Sequence, residues 1–319
     1  MVHVHCGAGL AGPPAVMGEV EHCMSQVSSS TRSATAADVL GPQLRRQVAA
    51  FRAREVEVRL DEPDAVHRFR VAARRLRSLL AAFEQLLDPA VCEALDAELG
   101  QAARKVAAAR DAQVVQRRLA WLMSDEPDSL PLMNELTSRL ETSYAEGRQR
   151  AVAHFDSPGY DSFTRVLDGF TDLPPWTPAA ATGANQVFVA ALRQEWRSML
   201  GKGRRVQLLE AGPVRDHRLH EVRKSAKLVK DVAEAQASIS GRKVRRLGKA
   251  AGRLSDVLGE HQDLVVTRSV LAEAEADRAA ERVLQRVQSR EATAAAGLYD
   301  DFRQVFKDAD RKSLRAWMS

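Results

Sequence analysis

The sequence predicts an all-α protein. Only 5% of its 319 residues are aromatic and only 18 are glycine, whereas alanine, leucine, arginine and glutamate are abundant, as is typical of helical proteins. Apolar residues recur at helical spacing along most of the chain, and no stretch of useful length alternates as a strand does. The 45% share of apolar residues suffices for one large core or two smaller ones, which excludes wholesale disorder.

The chain before the first helix has a different composition. Residues 1–35 mix glycine, proline, serine and histidine without periodicity, and we predict a disordered tail there. They lack the basic and apolar regions of a secretory signal, and no apolar run in the chain approaches the roughly 20 residues of a membrane span. The cysteines Cys6, Cys23 and Cys92 form neither a disulfide framework nor a metal-spaced pair. We therefore expect a cytoplasmic protein that uses no membrane, metal or cofactor.

Turn signals divide the first part of the helical pattern. A helix is predicted from Ala36 until the Asp-Glu-Pro-Asp segment at 61–64, which offers capping residues for a second helix over about 65–87. Asp88-Pro89 repeats the signal and opens a third helix through about residue 110. Further helices are predicted near residues 111–124, 129–155 and 159–170.

A proline-rich segment at 173–184 separates two halves of the chain. Its three prolines within twelve residues prevent a continuous helix, so we assign it as a linker between a first helical half, 36–172, and a second, 185–317. Breaks are also predicted at Ala211–Pro213 and Ser238–Gly241. The predicted helices of the second half cover about 185–209, 213–237, 242–260, 262–275 and 277–308.

Two landmarks recur in both halves at nearly the same displacement. The segment Arg110-Asp111-Ala112-Gln113-Val114 corresponds to Gln262-Asp263-Leu264-Val265-Val266, 152 residues later. The pattern His-x2-Arg-x3-Arg/Lys-x2-Arg/Lys occurs twice, displaced by 153 residues. It comprises His67, Arg70, Arg74 and Arg77 in the first half and His220, Arg223, Lys227 and Lys230 in the second. The recurrence predicts duplication of a helical unit.

The repeated pattern places cations along one side of a helix. Successive residues of a helix are rotated by about 100°, so the four residues of each set lie within an arc of about 80° around the helix. The apolar residues lie on a different side of the helix. Residues 65–77 carry five arginines and no acidic residue, and residues 202–253 carry fifteen lysines and arginines against five acidic residues. Uncompensated like charges destabilise a helix, so these stripes indicate an anionic ligand. Further candidate binding residues are Arg75, Lys224, Arg45, Arg52, Arg193, Arg197, Arg204, Arg242, Arg246, Lys249 and Arg253.

The chemistry of the stripes favours a phosphate polymer. Arginine forks and lysine ammonium groups are the usual partners of phosphate oxygens, and stripes on neighbouring helices suit a linear polyanion. Nucleic-acid recognition commonly uses stacking aromatics, but the chain has only 16, and the stripes contain none except Phe69 on the opposite face. Inorganic polyphosphate, which has no bases, needs only the cations.

The motif-bearing segments AVHRFRVAARRLRSLLAAF, LHEVRKSAKLVKDV, ARDAQVV and EHQDLVV resemble the CHAD domain, the conserved-histidine alpha-helical domain. The resemblance covers about residues 36–316. It implies two four-helix bundles related by pseudo-twofold symmetry, a basic central channel, polyphosphate binding and location at polyphosphate granules. It also implies that the two sets of four repeated residues line the channel. The halves differ at one step, where Arg74-Arg75 corresponds to Lys227-Leu228.

We expect non-catalytic binding of polyphosphate, and other hypotheses stay open. His67 and His220 could act as nucleophiles or general acids in a phosphohydrolase or phosphotransferase. A general nucleic-acid or polyanion scaffold is a third class, which we regard as the weaker one because of the missing aromatics. Zinc could bind weakly to tail residues His3, His5, Cys6, His22 and Cys23. The oligomeric state and the preferred polymer length are left open.

Overall fold

The computed structural model describes residues 34–123, 130–273 and 278–318. Within these ranges the protein is all-α, as predicted, with ten α-helices, three short 3₁₀ helices and two isolated β-bridges. The predicted tail at 1–35 lies outside the described residues except for its last two. Among the described helices, none combines the length and the apolar character needed to cross a bilayer.

Helix α1 (Ala36–Arg59) begins with a reciprocal cap. The Thr35 hydroxyl accepts a hydrogen bond from the Asp38 backbone N–H, and the Asp38 carboxylate accepts one from the Thr35 backbone N–H. Buried Leu44 and Phe51 lie along the inner side of the helix. The sequence therefore specifies both the start and the core-facing side of α1.

The start of α2 (Ala65–Ala82) differs from the prediction. Asp64 precedes the helix, but its φ of 56° lies in the left-handed region and its side chain makes no capping bond. Its carboxylate instead accepts a hydrogen bond from Arg117 at 3.2 Å. The helix also ends five residues earlier than predicted, and a 3₁₀ helix at Glu84–Leu86 follows.

The predicted third helix is α3 (Pro89–Lys105), which ends about five residues earlier than predicted, and the helix predicted near residues 111–124 is α4 (Ala107–Leu122), which begins correspondingly earlier. The start of α3 is as predicted, because the Asp88 carboxylate accepts a hydrogen bond from the Val91 N–H at 3.1 Å. The division falls at buried Val106, whose ψ of 3° is not helical. Alanines that favour helix follow this residue directly, so the sequence pattern shows no break there.

Three helices follow: α5 (Leu130–Phe155), α6 (Pro158–Asp172) and α7 (Ala184–Val206). Helix α5 packs closely on α4 at Gly147, where an added Cβ would lie 2.7 Å from the Ala109 backbone nitrogen. This contact fixes the position of α4 beside α5.

Helix α8 (Pro213–Ala272) is an interrupted helix that folds into a hairpin. Gly241, with φ of 65° and ψ of −145°, separates a first arm, residues 213–240, from a second arm, residues 242–272. The predicted break at Ser238–Gly241 is therefore confirmed. The predicted separation near residue 261 is wrong, since the second arm continues without interruption.

The two arms of α8 run antiparallel. Residues later in the first arm contact residues earlier in the second arm. Glycines on the second arm leave room for long side chains of the first. The pairs are His220 with Gln262, Arg223 with Gly259, Lys230 with Gly252, and Ala233 with Gly248. Helices α9 (Arg278–Ala309) and α10 (Lys312–Arg315) complete the described chain.

One buried core contains side chains from both sides of the proline-rich segment. It draws on α1, α2, α3, α6, α7 and the α8 hairpin, and a smaller core joins α4 and α5 to the end of α8 and to α9. The proline-rich segment packs Trp176 against the larger core, and the Thr177 N–H donates to the Leu86 carbonyl at 2.9 Å. The division into duplicated halves at 173–184, the pseudo-twofold symmetry and the central channel remain predictions.

Candidate anion-binding cleft

A cleft of about 1330 Å³ lies between α2 and the α8 hairpin. Helices α3, α4 and α7 contribute the rest of its lining. The structure brings residues of both repeated motifs into this one cleft. Those residues, with one neighbouring lysine, are His67, Arg70, Arg74, Arg77, His220, Arg223, Lys224 and Lys227.

Core packing orients the two cationic stripes. On α2, Phe69 and Leu76 are fully buried, so the helix cannot rotate without exposing them. On the first arm of α8, Val222, Ala226 and Val229 are buried in the same way. The motif cations occupy the remaining side of their helix, and all of them except Lys230 line the cleft.

Three arginines in the cleft bury unpaired donors. Arg70 Nη1, Arg110 Nη1 and Arg223 Nε are each inaccessible to solvent and have no hydrogen-bond partner among the described residues. They come from α2, α4 and the first arm of α8, and all three residues line the cleft. A buried donor without an acceptor costs free energy, about 1–3 kcal/mol and more for a charged group. These three donors therefore lack acceptors, although carboxylates such as Asp111 and Asp263 also line the cleft.

Lys227 is held close to other cations. Desolvation, followed by repulsion from Arg223, Arg74 and Arg70, lowers the pKa of Lys227 to about 7, although Asp231 opposes the shift. Desolvation is likewise the largest cause that lowers the pKa of Arg223. This part of the cleft favours an incoming negative charge.

The two motif histidines have different surroundings. The pKa of exposed His67 is lowered to about 4, first by desolvation and then by the positive charge of Arg110. His220 Nδ1 lies 2.7 Å from Gln262 Oε1, and desolvation lowers its pKa as well. With Oε1 of Gln262 as the acceptor, this hydrogen bond corresponds to the His220 tautomer that carries its proton on Nδ1. Both imidazoles are neutral at neutral pH.

Carboxylates pair with part of the cation set. Arg77 donates two hydrogen bonds to Asp96, at 2.7 and 2.8 Å, and Lys224 donates to Glu221 at 3.2 Å. Within the described chain, no carboxylate lies within ion-pair distance of five cleft cations, although Asp263 attracts two of them, Arg110 and Arg223, from further away. These five cations form the electropositive centre of the cleft: Arg70, Arg110, Lys202, Arg223 and Lys227.

Arg74 is anchored by a buried carboxylate. It pairs with Asp231, which also accepts a hydrogen bond from the Ser78 hydroxyl at 2.8 Å. The side chain of Asp231 is only 2% exposed, and desolvation is the largest cause that raises its pKa. Asp231 lies on the first arm of α8, so this contact joins the arm to α2 beside the cleft.

A family model for the CHAD domain matches residues 42–272, more than half of the chain. The chain belongs to the CHAD domain family. The duplicated cationic motif is part of the matched region, as is the whole cleft lining, so the family covers both the fold and the site.

This CHAD chain is similar in sequence to two known proteins. It is 28% identical over 219 residues to the uncharacterized proteins MT2285 and Rv2226 of two Mycobacterium tuberculosis strains, which is 67% of this chain and 41% of each relative. The chain thus spans less than half the length of those relatives.

Two solved structures share the fold. PptA from Streptomyces chartreusis has a TM-score of 0.67 at 19% identity, over 86% of this chain and all of that one. The CHAD domain from the plant Ricinus communis has a TM-score of 0.60 at 21% identity, over 90% and 92% of the two chains. At these identities the likeness concerns the CHAD fold alone.

Several cations predicted for the site lie outside the CHAD cleft. Arg75 pairs with Glu234 at 3.1 Å, and Arg204 donates two hydrogen bonds to Asp310. Their carboxylate partners lie far away in sequence, which helical spacing cannot reveal. The structure does not bring the following to the cleft either: Lys230, Arg45, Arg52, Arg193, Arg197, Arg242, Arg246, Lys249 and Arg253.

Other cleft residues were missed as site candidates. Arg110 and Asp111 on α4 face the cleft together with Gln262 and Asp263 on α8. These are the first two positions of the second repeated landmark, so the repeat itself contained the signal. Lys202 on α7 also lines the cleft, and no motif marks it.

Within the described part of the chain, no group of three histidine, cysteine or acidic side chains is placed to hold a metal ion. The tail residues considered for zinc, His3, His5, Cys6, His22 and Cys23, lie outside the described residues.

Proposed function

We propose that this CHAD domain binds inorganic polyphosphate in the cleft and leaves it chemically unchanged. The observation that supports this most is the convergence of buried, unpartnered N–H donors from Arg70, Arg110 and Arg223. Phosphate oxygens provide the acceptors and the negative charge that these groups lack. The cytoplasmic location expected from the cysteines and the granule association implied by the resemblance belong to the same proposal.

The shape and lining of the cleft favour a linear polymer without bases. The motif residues of α2, from His67 to Arg77, extend over ten residues, or about 15 Å at 1.5 Å per residue, which exceeds the size of one phosphate group. No phenylalanine, tyrosine or tryptophan is among the described residues that line the cleft. A nucleic acid would therefore find phosphate contacts there but no stacking surface for its bases.

The histidine environments favour binding over catalysis. A general acid must carry a proton at the working pH, whereas the lowered pKa values of His67 and His220 leave both neutral. The partner of His220 is the uncharged amide of Gln262, and within the described residues no carboxylate is hydrogen-bonded to either ring. Neutral imidazole N–H groups can still donate to phosphate oxygens.

Competition between polyanions tests the choice of ligand. We expect long-chain polyphosphate to remain bound when duplex DNA or single-stranded RNA is added at equal phosphate concentration, because the cleft offers cations without stacking aromatics. Fluorescence anisotropy of labelled polyphosphate measures the displacement at constant salt, since all phosphate contacts weaken as salt rises. Equal displacement by nucleic acid would contradict polyphosphate as the specific ligand.

A turnover assay tests the absence of chemistry. We expect no phosphate release from long-chain polyphosphate with the parent protein, and the same background rate with His67→Ala and His220→Ala. Release is measured as free phosphate over hours at neutral pH, with and without Mg²⁺. Phosphate release that disappears in either histidine variant would establish an enzyme and exclude our proposal.

A further inference from the structure

A second row of cations lies on the second arm of α8, outside the cleft. Its spacing of i, i+4, i+7 and i+11 places it along one side of the helix over roughly 16 Å. All of its members are exposed. We call this row the outer stripe, and it consists of Arg242, Arg246, Lys249 and Arg253.

The outer stripe is uncompensated, whereas some other exposed arginines of the protein are paired with carboxylates. Arg150 pairs with Glu146 and Arg165 pairs with Asp161, each at i,i+4 spacing. Within the described chain, no carboxylate lies within ion-pair distance of any outer-stripe side chain. Four like charges on one exposed helix side destabilise the free helix by repulsion, which an anionic partner would relieve.

Lys230 lies between the cleft and the outer stripe. It follows the cleft residue Lys227 by about one turn, and its side chain rests on the second arm, where an added Cβ at Gly252 would lie 3.7 Å from Lys230 Cδ. Arg253, a member of the outer stripe, is the next residue after that glycine. Lys230 thus places a cation where the two arms of the hairpin contact each other.

Helix geometry places both sets of cations on the same side of the hairpin. The contacting rows contain Arg223 on the first arm and Gly252 on the second. At about 100° per residue, Lys227 is rotated by about +40° from Arg223, and Arg253 by about +100° from Gly252. In an antiparallel pair of helices, residues rotated in the same sense from the line of contact lie on the same side of the pair. Lys227 and Arg253 therefore lie on the same side of the hairpin, and a linear ligand can extend from the cleft to the outer stripe.

We propose that the outer stripe binds a continuation of the polyphosphate chain that occupies the cleft, with Lys230 between the two sites. This inference rests on the proposed function, because the cleft must hold the same polymer. The outer stripe then makes affinity depend on chain length. A chain that reaches both sites gains affinity by multivalency, whereas a short one binds only locally.

The test compares two polymer lengths in matched charge variants. The outer-stripe variant is Arg246→Gln, Lys249→Gln and Arg253→Gln, and the control removes three paired, exposed arginines elsewhere. The control substitutions are Arg139→Gln, Arg150→Gln and Arg165→Gln. Both variants change the net charge equally. Circular dichroism checks that each retains the parent helicity.

We expect the outer-stripe variant to bind long-chain polyphosphate at least about tenfold more weakly than the control variant. The slope of log affinity against log salt should lose about two units, since three phosphate contacts are removed. Tripolyphosphate, which is too short to span both sites, should bind the two variants equally.

Three outcomes would overturn the inference. Equal long-chain affinity of the two variants refutes the outer stripe and leaves the cleft function intact. An equal loss of tripolyphosphate and long-chain binding shows a general charge effect instead of a second site. If the parent protein binds neither polymer, the proposed function fails, and the continuation of the chain fails with it.

Discussion

Replacing Arg70 and Arg223 together by glutamate is expected to weaken polyphosphate binding at least about a hundredfold. Each arginine supplies charge-assisted hydrogen bonds worth about 1.5–3 kcal/mol, and each glutamate adds repulsion toward phosphate. Isothermal titration calorimetry or anisotropy at fixed salt measures the change. Unchanged affinity would exclude the cleft as the binding site.

The same double variant separates binding from folding. Repulsion from Arg223, Arg74 and Arg70 helps to lower the pKa of Lys227, so the free cleft is unfavourably positive. Glutamate at two of these positions relieves that repulsion but replaces the attraction of Arg70 to Asp111 and of Arg223 to Asp263 by repulsion, so we expect the midpoint of thermal unfolding to change little. A large loss of affinity with little change in stability identifies residues kept for a ligand. A matched control is Arg150→Glu with Arg165→Glu, two exposed arginines outside the cleft.

The affinity for polyphosphate is expected to fall as the pH rises above about 7. In the free protein the pKa of Lys227 is lowered to about 7, first by desolvation and then by neighbouring cations. Bound phosphate favours the charged ammonium and returns this pKa toward its ordinary value of 10.5, so binding takes up a proton between the two values. If the bound pKa reaches about 10, the affinity falls by nearly a hundredfold between pH 6 and pH 9.

Proton uptake can be measured directly. Calorimetry in buffers of different ionisation enthalpy should give an uptake that approaches one proton near pH 8 to 9 with long chains, in which terminal phosphates are few. Lys227→Arg stays charged throughout this range and should bind with little pH dependence. His67, with a pKa of about 4, does not titrate there. A pH dependence that persists in Lys227→Arg would rule out this lysine as its source.

Helical spacing predicted most of the cations that face the cleft from α2 and from the first arm of α8, although Lys230 has the same spacing and does not line the cleft. This succeeded because a charged side and an apolar side leave a helix one orientation in a packed protein, as Phe69 and Val222 show by their complete burial. The break at Gly241 was also predictable, since a glycine in that segment permits a positive φ.

Contacts between distant helices were not predictable in the same way. Arg204 shares the spacing of a stripe, but its side chain meets Asp310, a residue 106 positions away. Arg110 lies in the cleft although no row of cations surrounds it in the sequence. The division at Val106 was predicted about four residues too late, because alanines continue the helical preference on its far side. Spacing determines which side of a helix a residue occupies, and tertiary packing determines what it meets there.

Since α2 and the α8 hairpin insert their apolar sides into one common interior, the two cationic walls cannot move apart without exposing it. Folding of the chain therefore holds the like charges of the two walls close together before any ligand binds. An arriving polymer meets a preorganised receptor and loses little affinity to rearrangement. Its capture should accordingly be fast, governed by electrostatic attraction during encounter more than by conformational change.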